Sequence, residues 1–156
     1  MAKPQIDPDL LSKIHAICAG ETDHITIMPV IAGELFHAVD GFDWVGFCQV
    51  AAPGVLKLGP YRGGHGCLMI TFDKGICAAA ARNQQTQIVD DVHQFYGHIA
   101  CTAATQSELV IPVFDKGQNL VAVLDIDSNQ PAFFGRQLAT QLETLLAKLF
   151  GPDETA

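Results

Sequence analysis

Two apolar runs, Leu109-Val-Ile-Pro-Val-Phe114 and Leu120-Val-Ala-Val-Leu-Asp-Ile126, flank Asp115-Lys-Gly-Gln-Asn119, and this arrangement constrains the fold more than any other stretch. Runs rich in valine, isoleucine and leucine on either side of a short glycine-containing loop read as a β-hairpin. The second run continues to Ser128 and carries Asp125 and Asp127. Side chains alternate along a strand, so Val121, Val123, Asp125 and Asp127 are expected on one face. Two carboxylates side by side on a partly dry face repel, which raises at least one pKa. Such a pair can hold a proton near neutral pH or grip a cation. The alternative is a strand end fraying into a turn with solvated acids. Glu108 opens the partner strand. If Asp125 pairs near it, three carboxylates converge on one mouth.

The remaining elements follow from local signals. Asp7-Pro8 supplies an N-cap and a proline at the first helical position. Leu10, Leu11, Ile14, Ile17 and Cys18 follow at helical spacing, and Gly20 can end that helix. A second helix is predicted from about Asp23 to Val39, with Pro29 in its first turn or two. Phe42-Asp-Trp-Val-Gly-Phe-Cys-Gln-Val50 reads as a strand, Pro53-Gly54 as a turn, and Val55 to Tyr61 as the return strand. Gly63, Gly64 and Gly66 flank His65 before Cys67-Leu-Met-Ile70, a weak phosphate-loop signal because no Lys-Ser/Thr pair follows. Gly75 to Asn83 is a short helix, Gln87-Ile-Val89 a brief strand, and 90–108 a loop of acids, histidines, aromatics and small residues. The closing helix carries Leu138, Leu142, Leu145, Leu146 and Leu149 on one face and stops at Gly151-Pro152. The order implies an α+β fold with a mainly antiparallel sheet and helices gathered on one side.

Composition narrows the function classes. The 156 residues are 49% hydrophobic and 17% charged, which is globular rather than disordered. A chain of this length is one domain by expectation and buries roughly 70% of its unfolded surface. Seventeen acids against nine bases leave a net charge of −8. That argues against nucleic acid and anionic membranes, which are recognised by basic patches. The N-terminus lacks an apolar signal-peptide core and no window is long enough to span a bilayer, so the expectation is cytoplasmic.

Five cysteines, Cys18, Cys48, Cys67, Cys77 and Cys101, do not suggest a structural disulfide framework. Cys18 sits on an apolar helical stripe and Cys48 on an aromatic strand, where packing is the simpler role. Cys77 lies near the start of a short helix, whose dipole and free amides favour a thiolate. Cys101 lies in the long loop, three residues after His98 and seven before Glu108. The reading of any one of them as a buried small hydrophobe stays open. Zinc competes for Cys67, Cys77, Cys101 and His98, but spacings of ten and twenty-four residues contain no close pair to anchor a site. Neither an H-E-x-x-H pattern nor a G-x-S-x-G elbow is present.

Several motifs taken in order resemble one family. Trp44-Val-Gly-Phe47, Leu58-Gly-Pro60, Gly75-Ile-Cys77, Gly97-His-Ile-Ala-Cys101, Ser107-Glu108 and Leu124-Asp-Ile-Asp-Ser128 are similar to those of the free methionine-(R)-sulfoxide reductases, and Ala19-Gly-Glu21 resembles the family's N-terminal helix region. The resemblance implies one GAF-like domain over 1–156. Its central, mainly antiparallel sheet would have about six strands, with the N- and C-terminal helices packed on one side. It implies catalytic Cys101, Cys67 and Cys77, and a substrate pocket built from Glu108, Asp125, Asp127 and Trp44.

The implied reaction reduces free L-methionine (R)-S-oxide. Cys101 would attack the sulfur while the carboxyl cluster protonates the oxygen, leaving a sulfenic acid that Cys67 resolves as a disulfide. An external thioredoxin-type dithiol would restore both thiols, Cys77 could relay or substitute in that step, and no metal or bound cofactor would be needed. Local physics makes Cys77 the more acidic thiol, whereas the resemblance and the nearby acids favour Cys101 as nucleophile. The chain departs from the family at Ala78, where glycine is usual, at Cys48, where an aromatic is common, and at the missing acidic start of the last helix. The rival expectation is a non-catalytic GAF module that senses a small molecule or redox state, although such modules are usually joined to an output domain and this chain ends soon after its closing helix. Whether the protein forms a homodimer is left open.

Overall fold

A computed structural model describes residues 2–151. Helices α1 (Pro8–Cys18) and α2 (His24–Ala38) precede strands β1 (Trp44–Ala52), β2 (Val55–Arg62) and β3 (Met69–Thr71). Helix α3 (Ile76–Asn83), strand β4 (Gln87–Val89), the hairpin β5 (Ser107–Phe114) and β6 (Leu120–Ser128), and helix α4 (Arg136–Phe150) follow. Pro152, expected to help stop the last helix, lies outside the described residues.

The first helix starts with the predicted chemistry, and the second is capped in the same way. Asp7 accepts from the Asp9 amide at 2.9 Å, with Pro8 as the first helical residue. Asp23 accepts from the Ile25 amide at 3.0 Å to cap α2. Pro29 lies inside α2, where its missing amide removes one helical hydrogen bond.

All strand pairs are antiparallel and the sheet order is β3-β2-β1-β6-β5-β4. The expected six strands are therefore present, with the apolar β1 and β6 at the centre. One face of the sheet presents Val45, Phe47, Leu109, Ile111, Val113, Ala122, Leu124 and Ile126 to a core shared with α1, α2 and α4. The N- and C-terminal helices thus pack on one side, as expected. The short α3 does not join them. It covers the opposite face, where Cys48, Leu56, Val110 and Val123 meet its buried alanines. An eight-residue helix of small side chains comes close enough to the strands to leave a shallow second core and a cleft beside it.

The hairpin turn is tied by Asp115, whose Oδ1 accepts from the amides of Gly117 and Asn119, both at 2.9 Å. Next to the turn, Val113 pairs with Ala122 but Phe114 pairs with Leu120, so Val121 is an extra residue. Such a bulge interrupts strict alternation. Val121 consequently packs against the larger core and Leu120 toward α3, correcting the expected grouping of Val121 with Val123. Beyond the bulge the alternation holds through Asp127. The strand expected from Phe42 begins at Trp44, and Phe42 is buried just ahead of it.

β3 and β4 are the two edges of the sheet, and Cys67 and Cys101 belong to the segments beside them. Cys67 precedes β3, and Cys101 lies in the loop between β4 and β5. A disulfide joins them over the α3 face, with 5.4 Å between Cα atoms and a sequence separation of 34. Among the described residues, no helix is long and apolar enough to cross a membrane.

Candidate active site

The cleft on the α3 face collects residues from both central strands, the short helix and the two loops that carry the disulfide. Its walls include Trp44, Cys67, Cys77, Cys101, Glu108, Asp125 and Asp127, all seven of the expected site residues. The register explains the convergence. Asp127 lies between Glu108 on β5 and Trp44 on β1, and Asp125 lies between Val110 and Gly46. Glu108 therefore sits opposite Asp127, and Asp125 pairs two positions further along β5, with Val110.

Trp44 can lie along the sheet because its neighbours have no side chains. A Cβ on Gly46 would fall 2.5 Å from the Trp44 Cη2 and 2.5 Å from the Tyr61 Cβ. At Gly63, where φ is +119°, a Cβ would fall 2.7 Å from the Trp44 Cδ1. The indole stacks on Tyr61 with centroids 5.2 Å apart, and its Nε1 donates to the Gly64 carbonyl at 2.9 Å. The glycine-rich loop thus seats an aromatic wall and has no phosphate-loop geometry to explain.

Glu108, Asp125 and Asp127 are each more than nine-tenths buried, so the solvated strand end considered from the sequence does not occur. One oxygen from each lies within 4.8 Å of the others. Burial raises the pKa of all three. For Asp127 and Glu108 the rise is large, driven first by desolvation and then by the Asp125 charge. Asp125 is raised less, because hydrogen bonds with Asp127 and the Cys77 thiol favour its charged form. The physical picture is a cluster in which burial favours the protonated forms, more strongly at Glu108 and Asp127 than at Asp125. Two of its oxygens, Asp125 Oδ1 and Asp127 Oδ1, are buried with no hydrogen-bond partner among the described residues. Buried polar atoms left without partners are uncommon and mark a place where a ligand or water would be bound. Three ionised carboxylates at this separation would suit a cation, but the raised pKa values favour the protonated forms, which donate hydrogen bonds. Among the described residues this group consists of the three carboxylates alone, and Cys67 and Cys101 are bonded to each other.

The thiols divide by environment. Cys67 and Cys101 are half-buried. Cys77 is buried against α3's own core, which corrects the expectation that it is the more acidic thiol. Its pKa is pushed well above the ordinary value by a hydrogen bond with Cys48, by burial and by the nearby Asp125. The stabilisation expected at a helix start is outweighed by desolvation and by carboxyls on the facing strands. Cys18 is buried in the other core, as its stripe predicted. His98 lines the cleft from the loop, and partial burial lowers its pKa, with His93 adding to the effect edge-on at 6.4 Å.

The sequence reading did not include Cys48, Leu58, Ile70, Ile76, Thr102 or Thr105 among the wall residues. For Cys48 the signal was available, since it lies on the same strand face as Trp44 and Gly46. For the loop threonines there was none. With the disulfide closed, the cavity is about 40 Å³, room for only a few waters.

The chain matches the GAF domain family over residues 40–149. It is 37% identical over 154 residues to the free methionine-R-sulfoxide reductase of Escherichia coli (strain K12), covering 94% of this chain and 92% of that protein. Among solved structures it resembles the reduced form of fRMsr from Staphylococcus aureus, with a TM-score of 0.88, 33% identity and coverage of 96% of this chain and 97% of that one. It also resembles the free methionine-R-sulfoxide reductase of Neisseria meningitidis solved in complex with its substrate, with a TM-score of 0.84, 33% identity and coverage of 95% and 92%.

Proposed function

The chain belongs to the GAF-domain free methionine-R-sulfoxide reductases, and on that footing we propose that it reduces free L-methionine (R)-S-oxide through a Cys101 sulfenic acid and a Cys67–Cys101 disulfide. What carries the reading is the meeting, in one cleft, of a half-buried cysteine pair with a buried carboxyl cluster that has two unpartnered oxygens. A sulfoxide sulfur is a poor electrophile until its oxygen is hydrogen-bonded or protonated. Glu108 and Asp127, held protonated by burial, are suited to that task.

In the forward reaction the Cys101 thiolate attacks the sulfur, and the oxygen takes a proton from the cluster. The substrate's S–O bond breaks as the protonated oxygen passes to the Cys101 sulfur, methionine departs, and Cys101 is left as a sulfenic acid. The Cys67 thiol displaces that oxygen as water, closing the disulfide, and an external thioredoxin-type dithiol reopens that bond by exchange. No bound metal or cofactor enters this cycle. Trp44 forms the apolar wall against which the substrate's methyl and methylene groups would lie. Because the disulfide form leaves space for only a few waters, reduction has to precede substrate entry. The full chain, 1–156, acts as a single GAF-like domain in this reading.

The test is incubation of the enzyme with racemic free methionine sulfoxide and dithiothreitol. Loss of the R epimer alone is the expected result, and consumption of neither epimer refutes the proposal. Cys101→Ser, reduced and then freed of reductant, should release no methionine in a single turnover. Release of one equivalent would remove Cys101 as the attacking thiol.

A further inference from the structure

Cys48 and Cys77 are the two thiols in the cleft that this cycle leaves unused. They come from different elements, β1 and α3, yet both line the same cavity as Cys67 and Cys101. Cys48 stands opposite Val123, one alternation along from the Gly46–Asp125 pair, so its side chain points at α3. There it packs in the same buried cluster as Cys77, and both thiols line one cavity with Asp125. Both thiols are buried, at 3% and 6% exposure, whereas Cys18 is in the core across the sheet and out of reach.

We infer that Cys48 and Cys77 form a second dithiol–disulfide couple that reduces the Cys67–Cys101 bond once from inside the protein. This inference rests on the reaction proposed above. The Cys77 sulfur, giving its proton to Asp125, bonds to the Cys101 sulfur while the Cys67–Cys101 bond breaks and the Cys67 sulfur leaves as a thiolate. The Cys48 thiol then bonds to the Cys77 sulfur and expels the remaining active-site sulfur. The products are a Cys48–Cys77 disulfide and free thiols at Cys67 and Cys101. Two electrons and two protons pass from the inner pair to the outer one, with no other oxidant or reductant needed. A fully reduced molecule therefore stores electrons for two turnovers. Since exchange requires a thiolate and the attacking Cys77 is buried, the second turnover is slower than the first and accelerates as pH rises.

The experiment counts methionine released per enzyme from excess free methionine (R)-sulfoxide, using anaerobic, fully reduced protein freed of reductant. Two equivalents in two phases are expected from the unmodified protein, and one from Cys48→Ser. Mapping of non-reduced peptides should find Cys48 linked to Cys77 only after the second phase. A yield of one equivalent from the unmodified protein, or of two from Cys48→Ser, overturns the couple. A second arm, independent of sulfoxide chemistry, titrates the reduced protein with oxidised glutathione. Appearance of the Cys48–Cys77 peptide after Cys67–Cys101 supports the couple even if no methionine is ever released, and its absence at saturating oxidant refutes it.

Discussion

Replacing Asp127 by asparagine tests whether the buried carboxyls are a store of protons. In an unfolded chain Asp127 and Glu108 titrate near their ordinary values of about 3.9 and 4.3. In the fold both are held well above that range, chiefly by burial. Between the unfolded and folded values the native protein binds more protons than the unfolded chain. Their contribution to stability is therefore complete below about pH 4 and is lost as pH rises through the folded values. Each excess proton gives a slope of about −1.4 kcal/mol per pH unit. Asparagine keeps the shape and removes one titration, so it should flatten the slope by up to that amount. For a chain of this size that corresponds to about 3–6 °C of melting temperature per pH unit. His98 acts in the opposite sense, because its pKa is lowered in the fold. Its contribution is present above its unfolded value of about 6.5 and is lost as pH falls. It is common to both proteins and cancels in the difference. The assay is urea unfolding of the disulfide form of each protein from pH 5 to pH 8. Parallel stability curves would show that Asp127 is already ionised, and the proton-donor reasoning would fail with it.

Two further substitutions probe the walls. Gly46→Ala brings a Cβ against Trp44 and Tyr61, and overpacking of this kind costs about 1–3 kcal/mol. Because Trp44 is the single tryptophan, its fluorescence should shift along with a lower melting temperature, and an unchanged spectrum at unchanged stability would contradict the indole cradle. His98→Asn should lower kcat/KM far less than Asp125→Asn, since His98 touches the cleft from a loop while Asp125 lies within the carboxyl cluster. Equal losses in steady-state assays would put His98 back among the residues that handle protons.

How far the sequence could be read depended on whether the deciding force was local. The β5–β6 hairpin, the shared face of Asp125 and Asp127, and the capped start of α1 all follow from alternation and turn or cap chemistry. The bulge at Val121 does not, because one extra residue beside a turn leaves the apolar pattern unchanged. The acidity expected of Cys77 fails for a related reason. Its helix start is visible in the sequence, but Cys48 and the facing carboxyls that outweigh it arrive from β1, β5 and β6. The glycines around His65 were equally opaque, since their purpose is the space taken by an indole some twenty residues earlier. Cys48 could have been placed by counting alternate residues from Trp44, yet its contact with Cys77 depended on α3 covering that face.

The bond between Cys67 and Cys101 ties segments beside the two edges of one sheet, across a sequence separation of 34. On the chain-entropy account, such a crosslink raises the free energy of the unfolded chain by about 3.8 kcal/mol. The same thermodynamic cycle means that folding favours the oxidised pair by that amount, equivalent to about 80 mV for a two-electron couple. The sheet is thus an electrochemical bias as well as a scaffold. Any dithiol that regenerates the enzyme works against the architecture that holds the two edges together, and a mutation that loosens either edge should make the same bond easier to reduce.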